Sequence, residues 1–405
     1  MERNYRLVAA AFTFMIAAVS CEVVDNDPDK HVKDDDSTYV GLEEVAEILA
    51  LVPLQSFHLQ EVHDAVISSS DNGYDEEYTM RNLFGNPGSG VGERHAKSSG
   101  SYENPLRDLI ADWVRESFGT RSESCSVRDP EKFIDALTDS DIQIYWPFSE
   151  NWDGEAMPVI TYDPEDGSEK NIGYELSIGD DGFRHVEEVL VDEDVAMSRP
   201  VWVINRNSDA CHTSLEMLRR EDPLWGEGGG NIIVRPSGPE KKLKSDSVKS
   251  LILKDFTMNR NYDSWFAGAS EFFVKTGYID DFTASTEAEL RLYNPLVTDF
   301  MIVVKRSQVG IPQPFNAIIM SDWSDQMTSY AFMITEDDGG TRTDWTTKAK
   351  VFVAGKSYGI EVTIPLNSRD DVVWRGQLAN RWLEQNSNVV GHFGDVDLTF
   401  EVLEY

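Results

Sequence analysis

The sequence predicts a mainly β protein with an N-terminal α-helical module followed by antiparallel β-sandwich-like domains. Apolar residues recur with helical spacing in the first part of the chain, and with a period of two in most of the chain after residue 141. Clusters of Asp, Gly, Asn and Pro separate the alternating segments at short intervals, a spacing typical of antiparallel sandwiches. At 405 residues the chain exceeds the size at which one core usually divides, so we expect more than one domain.

The first twenty residues have the layout of an export signal, with two arginines before an almost unbroken apolar run over 7–19. This run is too short to span the ~30 Å of hydrocarbon in a bilayer, which takes about 20 apolar residues. The small residues before Cys21 resemble the lipobox of bacterial lipoproteins, although Ala18 stands where that family usually has leucine. The resemblance implies that Cys21 is lipidated and becomes the N-terminus of the mature chain.

The sequence does not decide which signal peptidase cleaves the chain, or whether the other two cysteines form a disulfide. Ala18 and Ser20 also satisfy the small-x-small rule of an ordinary signal peptidase, whose cleavage would release a soluble, secreted protein. In an exported protein Cys125 and Cys211 can form one disulfide, but no sequence rule establishes that they do.

Changes in composition divide the chain into six predicted segments. Residues 22–36 are polar and acidic and cannot bury enough apolar area to offset their ordering entropy, so they predict a flexible tether. A long polar stretch with a glycine cluster, 207–247, predicts a linker or long loop. The predicted order is a signal peptide (1–20), an acidic tether (21–40), a helical module (41–118), a small β-sandwich-like domain (132–206), the linker (207–247) and a C-terminal β-sandwich domain (248–405).

Helical periodicity predicts four helices in the helical module. In the first helix, apolar residues at i, i+3, i+4, i+7 and i+10 from Leu42 form one stripe, which ends before Pro53. Three consecutive acidic residues that begin at Asp75 favour the start of the third helix there. Pro105 suits the first position of the fourth helix. The predicted helices are 42–52, 57–68, 75–84 and 106–118.

Period-two alternation predicts short strands through the rest of the chain, most clearly from Tyr358 to Ile364. In the small domain the predicted strands are 142–147, 157–162, 172–178, 186–191 and 201–204. In the C-terminal domain they are 248–256, 270–275, 287–292, 299–304, 317–320, 330–335, 348–352, 357–364 and 397–402. Residues 372–383 fit either a short helix or a further strand.

Charge limits the classes of partner that the folded body can bind. There are 72 acidic and 36 basic residues, which give a formal net charge of -36. Nucleic-acid binding requires clustered Lys and Arg to neutralise phosphates, so we expect no nucleic-acid partner. An anionic membrane surface is disfavoured for the same reason, whereas cations, basic partners and simple solubility agree with this charge.

Acidic clusters at strand ends are the candidate metal ligands. Glu336, Asp337 and Asp338 follow one predicted strand, and Asp370 and Asp371 follow another. Ca²⁺ takes 6–8 oxygen ligands, and carboxylates from adjacent loops at one end of a sandwich can supply them. The arrangement resembles the Ca²⁺-binding loops of C2-type sandwiches, and the resemblance implies Ca²⁺ as a cofactor. The alternative is that these Asp and Gly residues only form turns.

No catalytic residue is predicted, because no recognised arrangement of a nucleophile and a base is present. Two tryptophans in loop contexts, Trp152 and Trp323, are candidate ligand-binding residues, since Trp faces can stack on sugars or anchor a protein partner. The alternative is that they belong to the core, as most tryptophans in sandwiches do.

Together these features predict an exported protein that is anchored through Cys21 to the bacterial cell envelope, at the outer membrane. The acidic residues after Cys21 resemble the export determinant of some bacterial lipoproteins, and this resemblance implies the outer, surface-exposed face; the sequence alone leaves the face open. We expect a non-catalytic binding or adhesion module with a glycan or protein ligand. The alternative is a secreted or surface-tethered hydrolase that acts on glycan or peptide.

Overall fold

The computed structural model describes residues 39–85, 102, 104–120, 129–178, 184–207, 212–221, 249–280 and 282–404. Within these ranges the protein is mainly β and mainly antiparallel, with helices concentrated near the N-terminus, so the predicted fold class is confirmed. The described chain forms an α+β unit followed by a β-sandwich.

The α+β unit contains one six-stranded sheet with its first five helices on one face and its short sixth helix on the other. Its elements are α1 (Leu42–Leu51), α2 (Ser56–Asp71), β1 (Glu77–Thr79), α3 (Met80–Phe84), α4 (Leu106–Thr120), α5 (Pro130–Thr138), β2 (Ile142–Tyr145), β3 (Val159–Tyr162), β4 (Lys170–Ile178), β5 (Arg184–Asp192), α6 (Glu193–Ser198) and β6 (Val201–Arg206). The strand order is β1-β2-β6-β3-β4-β5, in which β3 and β6 are parallel and the other neighbours antiparallel.

Both faces of this sheet are buried at strands β2, β3 and β6, which explains why these strands are almost continuously apolar. Trp202 and Ile204 of β6 point into the core formed with the helices. Val201 and Val203 alternate with them and point to the opposite face, where they pack against Trp265 and Phe266 of the sandwich.

The predicted boundary between a helical module and a small sandwich is not a boundary in the structure. Strand β1 lies inside the predicted third helix and pairs with β2, so the sheet includes residues from both predicted segments. The helices and the sheet share one core, and a single sheet covered by helices replaces the expected sandwich. Helix α5, which the sequence analysis did not predict, overlaps the start of the predicted small domain, and Asp129 accepts a hydrogen bond from the Glu131 amide as its N-cap.

The β-sandwich is formed by the chain after the α+β unit, and it includes one helix from the predicted linker (207–247). Its elements are α7 (Leu215–Glu221), β7 (Lys249–Met258), β8 (Ser270–Tyr278), α8 (Glu287–Leu290), β9 (Leu296–Val304), β10 (Gln313–Trp323), β11 (Met327–Glu336), β12 (Arg342–Val353), β13 (Lys356–Asn367), β14 (Asp371–Ala379), α9 (Asn380–Gln385), β15 (Val390–Phe393) and β16 (Val396–Glu404). One sheet has the order β10-β7-β16-β15; the other has the order β13-β12-β11-β8-β9, with β14 also beside β11. One large apolar core joins strands of both sheets.

Three sequence predictions in this part differ from the structure. The predicted strand at 287–292 is helix α8, because Thr286 caps a short turn by accepting a hydrogen bond from the Glu289 amide. Residues 372–383 are neither one helix nor one strand, because 372–379 belong to β14 and 380–383 belong to α9. The predicted linker contains helix α7, whose Leu215 is buried in the sandwich core.

A loop of the sandwich docks into the α+β unit. This docking loop, residues 259–269, connects β7 to β8 and carries Trp265 and Phe266, which are fully buried against the open face of the six-stranded sheet. Asn205 of β6 donates hydrogen bonds from Nδ2 to the carbonyls of Phe266 (2.9 Å) and Ala267 (2.8 Å). The two units therefore share a specific interface with an apolar centre.

Charged groups lie beside this apolar contact. Glu76 of the α+β unit is buried and pairs with Lys305 of the sandwich at 3.2 Å. It also accepts a hydrogen bond from the Ser149 hydroxyl at 3.3 Å. Burial is the main reason that the pKa of Glu76 rises from 4.5 to about 7, against the opposing effect of Lys305.

Among the helices that the structure describes, none is both long enough and apolar enough to cross a membrane.

The raised pKa of Glu76 predicts that stability falls between about pH 4.5 and pH 7. In that range the folded chain keeps the Glu76 proton and the unfolded chain releases it, so the free energy of unfolding decreases as pH rises. Glu76→Gln should reduce the loss of stability between pH 5 and pH 8, by about 3 kcal/mol at most. Denaturant unfolding at both pH values measures this. Glu155→Gln, an exposed carboxylate of the same unit, is the control and should leave the pH dependence unchanged.

Candidate functional site

Three carboxylates converge where the docking loop meets the sandwich. Asp263 lies in the docking loop, Glu271 is the second residue of β8, and Glu336 is the last residue of β11. One oxygen from each lies within 4.8 Å of the others. Antiparallel pairing of β8 with β11 fixes two of them, since Glu336 stands opposite Phe272 and the Asp337 amide donates to the Glu271 carbonyl at 3.0 Å. We call these three residues the carboxylate site.

Glu336 is the most unusual member of this site, because it is 1% exposed. No basic or neutral group among the described residues donates to either carboxylate oxygen of Glu336 or to Oδ2 of Asp263; the polar neighbour of Glu336 is the Asp263 carboxyl group, with which it can share a proton. Burial raises the pKa of Glu336 far above its ordinary value, and the neighbouring Asp263 raises it further. Buried polar groups are normally hydrogen-bonded, so a buried carboxylate with two unpaired oxygens calls for an explanation such as an ion.

The five acidic residues singled out in the sequence all lie near this end of the sandwich. Asp337 is buried, and its Oδ1 accepts hydrogen bonds from the Gly339 amide (2.9 Å) and from Asn367 Nδ2 (3.1 Å). Asp338 is exposed. Its pKa is nevertheless raised to about 6, first because the surrounding protein partly excludes water from it, and second because neighbouring carboxylates repel its charged form. The Asp337 oxygen thus stabilises a turn, which is the alternative that the sequence left open.

Asp370 and Asp371 approach the same region from the strand that borders β11. Oδ2 of Asp370 accepts a hydrogen bond from the Asn367 amide at 2.8 Å, whereas its Oδ1 is buried without a partner in the described chain. Burial and the nearby Asp337 raise the pKa of Asp370 to about 7. Asp371 is exposed and stands opposite Glu336 in the pairing of β11 with β14.

Of the predicted metal ligands, only Glu336 belongs to the carboxylate site, and the sequence reasoning missed Asp263 and Glu271. Neither missed residue sits in an acidic cluster of the sequence; Asp263 lies in a loop of mixed composition and Glu271 inside a strand. The local signal is that Asp263 lies in the connection between two predicted strands and Glu271 lies at the start of the second, so both fall near the same strand end.

The geometry of the carboxylate site suits a hard cation. Ca²⁺ binds oxygens at 2.3–2.6 Å, so two oxygens on one ion are at most about 5 Å apart, and the 4.8 Å limit satisfies this. The donor set contains only carboxylate oxygens, which favours Ca²⁺ or Mg²⁺ over metals that prefer nitrogen or sulfur. The two unpaired oxygens of Glu336 can bind one ion in a bidentate manner, a common Ca²⁺ mode.

A second candidate, a depression between the two units, is small. Glu76, Tyr145, Lys305 and Arg306 are among its lining residues, and its volume is about 30 Å³. That volume holds about one or two water molecules and no organic ligand.

The two tryptophans proposed as ligand-binding residues have different environments. Trp323 is fully buried and stacks on Tyr330, with ring centroids 4.9 Å apart, so it forms part of the core and no ligand can reach it. Trp152 is half-buried, contacts Trp146 and His63, and donates a hydrogen bond from Nε1 to the Ala156 carbonyl at 2.9 Å. The structure thus corrects the expectation for Trp323, because a residue at a strand end can still point inward.

Several sequence predictions lie outside the described residues. They are the signal peptide, the lipidated Cys21, nearly all of the tether, and the two other cysteines, Cys125 and Cys211.

Comparison with known proteins gives no relative: no family model, no curated protein and no solved structure matches the chain. The fold and the site define the class of protein: an α+β unit docked on an antiparallel β-sandwich, with a carboxylate site, centred on the buried Glu336, where the docking loop meets the sandwich.

The positions of the tryptophans predict unequal effects of truncation. Trp323→Ala should lower the free energy of unfolding by about 3–5 kcal/mol, because it leaves a cavity in the sandwich core. Trp152→Ala should cost less, since part of the ring already contacts solvent. Denaturant unfolding of both variants measures this, and equal losses would contradict the assignment of Trp323 to the core.

Proposed function

We propose that the protein is an exported, lipid-anchored binding protein of the bacterial cell envelope whose folded body holds a Ca²⁺ ion at the carboxylate site. One observation carries the cation part of this proposal: Glu336 is buried with both oxygens unpaired, beside Asp263 and Glu271. The sequence supports the envelope part through its export signal and the lipobox resemblance at Cys21.

A cation is the partner that best offsets the cost of this arrangement. Transfer of an ionised carboxylate from water to the interior is highly unfavourable unless the charge is paired. No basic group donates a hydrogen bond to Glu336 within the described chain, and burial favours its protonated form when no ion is bound. A divalent ion would displace that proton, pair with the Glu336 and Asp263 carboxylates, and satisfy their oxygens together.

The binding partner of the envelope protein is a glycan or a protein surface. Trp152 is the remaining aromatic candidate for such contact, because its ring is partly exposed on the α+β unit. The strongly acidic composition argues against nucleic acid and favours basic or neutral partners.

A hydrolase is the second candidate function, and one observation favours it. The pKa values of Asp338 and Asp370 are raised to about 6 and about 7, and both residues lie close to the buried carboxylate of Asp337. Carboxyl groups with pKa values near neutrality are suited to general acid–base catalysis. Release of product from glycan or peptide, lost in Asp370→Asn, would support this function over simple binding.

The cation proposal predicts a Ca²⁺-dependent rise in melting temperature. Addition of Ca²⁺ to chelator-treated protein should stabilise the fold, by about 2.7 kcal/mol at a hundredfold excess over Kd. Glu336→Gln should abolish this response. In chelator the variant should melt close to the wild type, because the raised pKa of Glu336 already keeps that buried carboxyl uncharged when no ion is bound.

A matched control is available for this measurement. Glu361→Gln removes an exposed carboxylate from β13 and should keep the full Ca²⁺ response. A wild-type protein whose melting temperature is the same in Ca²⁺ and in chelator would rule out the cation site.

Lipidation predicts a mass increment on Cys21. Intact mass of protein extracted from membranes should exceed that of the chain from residue 21 by two or three acyl chains and their glycerol link. Cys21→Ser should lose the increment and the membrane association. An unmodified mature chain in the medium would instead support secretion, and it would favour the hydrolase function over the membrane-anchored binding protein.

A further inference from the structure

We propose that Ca²⁺ at the carboxylate site controls how firmly the α+β unit docks on the sandwich, with the docking loop as the connecting element. This inference rests on the proposed cation site and extends it from a static ion to a regulator of the interface. Its basis is that Asp263, one of the three carboxylates, lies in the same loop as the residues that fill the interface.

Asp263 and the docking residues are close in the chain. Trp265 and Phe266 follow it by two and three residues and are 1% and 0% exposed. Trp265 also donates a hydrogen bond from Nε1 to the Glu169 carbonyl of the α+β unit at 3.0 Å. A displacement of the Asp263 backbone would therefore disturb these two side chains, because only Ser264 separates Asp263 from Trp265.

The backbone of Asp263 is also bound to an ion pair that spans both units. Arg306 donates from Nη1 to the Asp263 carbonyl at 2.8 Å. The same guanidinium contacts both carboxylate oxygens of Glu193 in the α+β unit, at 3.0 and 3.3 Å. The position of Asp263 thus determines whether Arg306 can reach Glu193 in this bidentate geometry.

The C-terminal end of the docking loop, Gly268 and Ala269, packs so closely against the α+β unit that it leaves no room for a larger side chain. The Ala269 amide donates to Oδ2 of Asp75 at 3.0 Å. Gly268 has a φ of 119°, and a Cβ there would lie 2.5 Å from the same Asp75 oxygen. The loop therefore fits the α+β unit in one conformation, and small shifts break several contacts together.

Of the three carboxylates, Asp263 is the one that can move. Glu271 and Glu336 sit in strands that hydrogen-bond to each other, whereas Asp263 is on a loop. Without a cation, no ion links Asp263 to the carboxylates of β8 and β11, so the loop loses that attachment to the sandwich. With a cation, Asp263 is held against the sandwich in the conformation that the α+β unit recognises.

Thermodynamic reciprocity gives a test away from the ion. If Ca²⁺ favours docking, then weakening the docking contact must weaken Ca²⁺ binding by the same factor. Asn205→Ala removes both hydrogen bonds to the loop without changing any carboxylate. Calorimetry on the complete mature protein should show a Ca²⁺ Kd raised about fivefold or more. Asn171→Ala, which removes a hydrogen bond to the Tyr162 carbonyl inside the α+β unit, should leave the Kd unchanged.

Hydrogen exchange provides a second readout that needs no interface variant. Ca²⁺ should slow exchange in peptides covering 259–269 and β6 of the wild type, and Glu336→Gln should lose both effects. Ca²⁺ binding with unchanged exchange in both peptides, or an unchanged Kd in Asn205→Ala, would overturn the coupling while leaving the cation site intact. Absence of any Ca²⁺ binding by the wild type would overturn the proposed function itself.

Discussion

The antiparallel pairing of β8 with β11 is the constraint on which the rest of the sandwich depends. Strand β11 is buried along nearly its whole length, and it also pairs with β12 and β14. A strand with neighbours on both sides and a core beneath it has one favourable register, because a shift by one residue would turn its apolar side chains outward. That register brings Glu336 next to the start of β8, and so fixes two of the three carboxylates.

The docking loop extends this constraint to the other half of the molecule. It leaves β7, passes Asp263 close to the carboxylates, inserts Trp265 and Phe266 under the six-stranded sheet, and enters β8. The central strands of the α+β sheet bury both faces because the docking loop, together with α6, covers the face opposite helices α1–α5. The apolar interface supplies most of the favourable free energy here, since burial of large aromatic side chains contributes more than exposed ion pairs do.

The sequence predicted part of the candidate site. Glu336 and its neighbours were recognised because several acidic residues follow a strand, but the same composition is what a turn requires, and Asp337 is indeed used in its turn. Asp263 and Glu271 could not be recognised, since an isolated acidic residue carries no local sign of burial. Trp323 was misread for a related reason: its flanking residues are polar, yet its own side chain points into the core.

By itself, the sequence determined the periodicity of most elements, the acidic character of the chain, and the layout of an export signal, because each follows from neighbouring residues. Helices α1, α2 and α4 and most sandwich strands were predicted within a few residues. The tertiary structure decided what the sequence could not: that β1 joins the sheet of β2, that the helices and this sheet form one unit, and that Asp263 meets Glu336. Each of these depends on contacts between residues far apart in the chain, and the free energy that selects them comes from packing and burial that no local pattern records.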